Sequence, residues 1–78
     1  MIKIIFVEGC PSCDLIKNIV KQNNLKDIEF LEFPDNPEAK ELVNKLGIAS
    51  VPRAVINGKV YTIEVDNTRR KLVFKRAN

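Results

Sequence analysis

Cys10 and Cys13 are the only cysteines in a chain of 78 residues, set three positions apart in the run Gly9-Cys10-Pro11-Ser12-Cys13. Two thiols at that spacing can exchange with a disulfide, contribute to a metal site, or close a short covalent staple. A closed zinc site takes four ligands. This chain offers two cysteines and no histidine, so a metal would need a second chain to complete its shell. A structural disulfide across so short a loop removes little chain entropy, and a reducing compartment would keep it open. Redox exchange asks only for a stabilised thiolate with a second thiol in reach.

The flanking segments supply that setting. Met1 to Val7 is nearly continuous in apolar character, as expected of a central strand covered on both faces. After Gly9, Pro11 suits the first position of a helix, where its missing N–H has no intrahelical partner. Leu15, Ile16, Ile19 and Val20 then recur at helical spacing, which predicts a helix from about Pro11 to Asn23. Cys10 therefore stands at the helix N-terminus, where free N–H groups and the positive end of the dipole favour a thiolate. By this argument Cys10 is the nucleophile. Cys13, one turn in and more enclosed, is placed to attack a mixed disulfide and release product. A C-x-x-C pair beside a strand–helix–strand pattern reads as a redox motif.

Further along, Ile28 to Phe33 reads as a second strand. Asn36 caps a second helix with Pro37 in its first turn, Ala39, Leu42, Val43 and Leu46 form its apolar face, and Gly47 ends it. Ala54-Val55-Ile56 and Val60 to Ile63 flank Asn57-Gly58, a pair that tolerates the positive φ of a type I′ hairpin turn. The last segment fits two readings. Lys71 to Lys75 could extend the sheet, but Asp66-Asn67-Thr68 offers cap residues and Leu72, Val73, Arg76 and Ala77 share a helical face. The expected element is a short helix, giving β-α-β-α-β-β-α in one domain over residues 1–78, with no repeat, linker or low-complexity stretch.

Apolar residues make up 45% and charged residues 29%, the balance of a globular protein. The longest unbroken apolar run, Ile4 to Val7, is far short of the roughly 20 residues that span a bilayer. Met1-Ile2-Lys3 leads straight into a strand and lacks the pattern of a secretory signal, so the expectation is a cytoplasmic protein without membrane association. Charge is uneven: residues 1–67 hold eight basic and ten acidic residues, a net of −2, and residues 68–78 hold five basic and none acidic, a net of +5. Arg69, Arg70, Lys71, Lys75 and Arg76 read either as a solvated face or as a docking surface for an acidic protein, with nucleic acid ranked lower.

These features together resemble the thioredoxin superfamily, specifically its small glutaredoxin-like members: a C-P-x-C motif after the first strand, Val51-Pro52 just before the third, and the Asn57-Gly58 hairpin. The resemblance covers essentially the whole chain. It implies an α/β thioredoxin-like fold with a four-stranded mixed sheet in the order 2-1-3-4 and helices on both faces. It implies that Val51-Pro52 is cis and faces the cysteine pair, and that the backbone of Val51 pairs with substrate. Ser50 stands where glutaredoxins commonly have Thr, and Ser12 where they often have Tyr. The chain departs from the pattern at Glu8, where a basic residue is frequent, and at Glu64-Val65, where Gly-Gly after the last strand admits glutathione.

The expected activity is dithiol–disulfide exchange through Cys10 and Cys13, with Pro11, Ser12, Val51 and Pro52 against the substrate and no bound cofactor or metal. Glu8 and Lys17, one turn beyond Cys13, read either as modulators, Glu8 opposing the Cys10 thiolate and Lys17 favouring it, or as solvated surface charges. Arg53 either flanks the substrate groove or lies on an outward strand face. The expected partners of a monomeric chain are a disulfide-containing protein and an electron source, either glutathione or a reductase. A non-catalytic binding module with a basic tail is the reading from another class.

Overall fold

A computed structural model describes residues 1–77. The elements run β1 (Ile2–Phe6), α1 (Pro11–Gln22), β2 (Ile28–Glu32), α2 (Pro37–Leu46), β3 (Arg53–Ile56), β4 (Lys59–Asp66) and β5 (Lys71–Arg76). The strands form one sheet in the order β2-β1-β3-β4-β5. β1 and β2 are parallel, as the helical crossover between them requires. β1–β3, β3–β4 and β4–β5 are antiparallel. The expected order 2-1-3-4 is present, with a fifth strand added at the edge.

Local chemistry accounts for the element ends. The Asn36 side chain accepts from the backbone N–H of Glu38 at 2.8 Å and of Ala39 at 3.2 Å, capping α2 as its sequence predicts. That helix closes at Gly47. Asn57 and Gly58 take φ of 52° and 76°, the positive values of a type I′ turn.

Alternation along the strands divides the core into two layers. On one face Ile4 and Ala54 pack with Ile16 and Val20 of α1. On the other, Ile5, Leu31 and Val55 pack with Ala39 of α2, joined by Leu42, Val43 and Leu46. Ile4, Ile5, Ile16, Ile19 and Leu31 are no more than 2% exposed, each contributing about 1.5–3 kcal/mol by leaving water. No helix among the described residues is long and apolar enough to cross a membrane.

The C-terminal segment is a strand, not the expected helix. Leu72 and Phe74 turn toward the α1 layer while Lys71, Val73 and Lys75 turn away, a period of two. Asp66 does not cap a helix. Its carboxylate accepts from the N–H of Thr68 at 3.1 Å and of Arg69 at 3.2 Å, the turn chemistry that the same residue type also performs. Arg70 then takes a positive φ of 55° and returns the chain as β5.

A straight continuation of β4 past Thr62 would carry it beyond the end of β1 that leads to Cys10, because Thr62 is aligned with Arg53 and Arg53 with Ile5. Instead the hairpin bends across the α1 layer. Its turn meets the opposite end of α1, where Asn23 donates to the Arg70 carbonyl at 2.7 Å and the Arg70 guanidinium donates to Gln22. Tyr61, Ile63, Val65, Leu72 and Phe74 thereby pack against the α1 cluster.

Candidate functional site

Ile5 of β1 is paired with Arg53 of β3. The residues that follow Ile5 and those that precede Arg53 therefore leave the same end of the sheet, which brings the segment Val7 to Cys13 and the segment Ser50 to Pro52 to one edge of the molecule. Val7 and Val51 line a common hollow of about 200 Å³ there, together with Phe33 and Ile48.

Gly9 has a φ of 79°, open to glycine at little cost, and this turn delivers Cys10 to the start of α1. Cys10 is the N-cap residue, with extended backbone at φ −93° and ψ 111° and Pro11 beginning the helix. Its Sγ accepts from the N–H of Cys13 at 3.2 Å, and its carbonyl accepts from the N–H of Asp14 at 3.0 Å. A sulfur thus occupies the position that Ser, Asp or Asn holds in an ordinary cap, satisfying a free N–H of the first turn. The same donor lowers the cost of negative charge on that sulfur. The two cysteines lie close enough to form a disulfide, their Cα atoms 5.2 Å apart, inside the span that such a bond bridges.

The pair is asymmetric. Cys13 is 2% exposed beneath the first turn, whereas Cys10 is partly exposed, and Pro11 and Ser12 beside it are open to solvent. Val51 and Pro52 are half-buried, and the bond between them is cis, as the resemblance implies. Phe33-Pro34 is cis as well, which no residue pattern in the sequence singled out. No backbone–backbone hydrogen bond engages Val51 among the described residues.

Arg53 is partly buried at the start of β3. Its guanidinium turns back onto the loop before β3, donating to the Pro52 carbonyl at 2.9 Å and to the Ser50 hydroxyl at 2.8 Å. Lys17 lies beside the aromatic rings of Phe6 and Phe30. Its ammonium sits 3.5 Å over the ring of Phe6 and 5.8 Å from that of Phe30, a cation–π arrangement on the sheet. Glu8 is exposed and lines a small hollow with Asp14, Lys17 and Glu32. Three carboxylates and one ammonium thus flank the cysteine turn. Asp14 and Glu32 add to the expected set; Asp14, an acidic side chain in the first turn of α1, carries a signal legible in the sequence, whereas Glu32 ends β2. Glu64 and Val65 are not a loop after the last strand: they lie within β4, and Glu64 pairs with Lys75 at 3.2 Å on the exposed face. Among the described residues, no three Cys, His, Asp or Glu side chains cluster to hold a metal ion.

A paired thiol couple at a strand–helix junction of a two-faced mixed sheet has the geometry of a thiol–disulfide redox centre. The chain belongs to the thioredoxin domain family, whose model matches residues 1–63. The matched region ends inside β4, so the bent half of the last hairpin, including β5, lies beyond it. Comparison with curated proteins and with solved structures gives no match.

Proposed function

We propose that the protein is a dithiol oxidoreductase that reduces disulfides in other proteins, working in the cytoplasm. The observation that carries the proposal is the unequal exposure of the two cysteines, with Cys10 partly exposed and Cys13 2% exposed. The Cys10 thiolate attacks one sulfur of a substrate disulfide; that S–S bond breaks, the other substrate sulfur leaves as a thiolate and takes a proton, and a mixed disulfide forms. The Cys13 thiolate then attacks Cys10 Sγ, the second substrate sulfur departs, and the Cys10–Cys13 disulfide is left. Two electrons have passed to the substrate, and an external dithiol must return them.

Substrate pairs in extended form with the backbone of Val51, packing against Pro52 and over Pro11 and Ser12. The grip of Arg53 on the residues either side of Val51 supports this reading. Glutathione is a weak electron source here. Its carboxylates would approach a turn flanked by Glu8, Asp14 and Glu32, against the single ammonium of Lys17. A flavin- and NADPH-dependent reductase of the thioredoxin reductase type is the preferred donor.

The test is insulin-disulfide reduction by wild type, Cys10→Ser and Cys13→Ser, followed by recovery of the oxidised protein with millimolar glutathione or with a thioredoxin reductase and NADPH. Cys10→Ser should be inactive, Cys13→Ser should accumulate a mixed disulfide, and the reductase should outpace glutathione. Turnover by Cys10→Ser would overturn the assignment of Cys10 as nucleophile, and wild type inert with every disulfide offered would leave a binding module in place of an enzyme.

A further inference from the structure

Four positive side chains ring an apolar groove at the end of the molecule away from the cysteines. Its floor is Ile2 of β1, Ile28 of β2, and Leu72 and Phe74 of β5, with Leu25 at its lip, 43% exposed. Lys26, Arg69, Arg70 and Lys71 stand around it, against the single carboxylate of Asp27. The groove holds about 540 Å³ and is open to solvent. The ion pairs found among the described residues are Lys3–Glu38 and Lys75–Glu64, so none of these four cations is paired with a carboxylate. The twelve residues of α1 separate the groove from Cys10 by about 18 Å.

A charged face that served solubility alone would not need an apolar floor between its cations. Apolar surface ringed by unpaired charge of one sign complements an occupant with apolar side chains and the opposite charge. A small amphiphile is usually enclosed over most of its surface. An open groove with its charges spread along the rim suits a chain that enters and leaves, with anchors in the floor and acids at the edge.

We propose that this groove docks an acidic segment of a partner protein that carries apolar anchor side chains. The surplus positive charge of residues 68–78 steers the encounter, and binding there leaves the Cys10 edge free. The proposal stands apart from the redox reading and is tested without turnover.

The experiment is fluorescence anisotropy with a panel of labelled peptides about twelve residues long, in which Glu and Asp are interspersed with Leu and Phe at strand or at helix spacing. The same peptides with Lys in place of the acids are the controls, and amide NMR shifts map the site. At low salt, acidic members of the panel should bind saturably and shift Ile2, Leu25 to Ile28 and Arg69 to Phe74. Combining Lys26→Gln, Arg69→Gln and Lys71→Gln should weaken binding by about tenfold, as three rim charges of modest individual value are lost. Leu25→Ser should weaken it several-fold while leaving the circular dichroism spectrum unchanged. Failure of every acidic peptide to bind, equal binding of the lysine controls, shifts centred elsewhere, or decanoate filling the groove in preference to every peptide would each overturn the proposal.

Discussion

Arg53, the first residue of β3, holds the hydroxyl of Ser50 at 2.8 Å and so ties down the loop that leads into its own strand. With the second bond to the Pro52 carbonyl, this fixes both neighbours of Val51. Arg53→Ala and Ser50→Ala should each cost about 0.5–1.5 kcal/mol of stability, at the modest end because the Ser50 contact is exposed. Urea unfolding of the two single variants and the double variant checks it. The double variant should lose less than the sum of the singles; strict additivity would mean that the two residues do not act together.

In the reduced protein, iodoacetamide should modify Cys10 well before Cys13. Accessibility and the Cys13 N–H directed at Cys10 Sγ both act in that direction. Peptide mass mapping after brief labelling is the readout, and earlier modification of Cys13 would reverse the proposed roles.

The alternation in β5 sets apart two adjacent residues. Phe74→Ala should cost about 1–2 kcal/mol, below the 3–5 typical of a fully buried Phe, because the ring is half-buried against the α1 cluster. Val73→Thr, on the outward face and 39% exposed, should stay within about 0.5 kcal/mol. Thermal or urea unfolding distinguishes them. Comparable losses would favour a helical segment, in which Leu72 and Val73 face the core together.

The Glu38 carboxylate bonds the Lys3 ammonium and, with the charge of Glu29 in addition, holds its pKa above the ordinary 10.5 against the opposing effect of desolvation. A pKa raised on folding stabilises the native state fully below the unfolded value and loses that contribution as pH rises through the folded one. The stability gap between wild type and Lys3→Met should therefore be flat below about pH 10 and narrow at more alkaline pH. Urea midpoints from pH 7 to 11 follow it; a gap that widens with pH would contradict the sign.

By itself the sequence determined the features that rest on neighbouring residues. Helical spacing of Ile16, Ile19 and Val20, the Asn36 cap, the Asn57-Gly58 turn and the placing of Cys10 between an apolar strand and Pro11 are local signals, and the folded chain obeys each. Only the tertiary structure decided β5. Leu72, Val73 and Phe74 fit a period of two or of 3.6 over so few residues, and Asp66 can cap a helix or close a turn. The open edge of β4 and the unfilled flank of α1 select the strand, because pairing satisfies the backbone while Leu72 and Phe74 pack against the cluster that includes Ile16 and Val20. Contacts between distant segments likewise set Lys17 over Phe6 and bring Lys26 beside Arg69, Arg70 and Lys71. Such neighbours depend on how the sheet twists and where the hairpin bends, and neither is written in the spacing of residues along the chain.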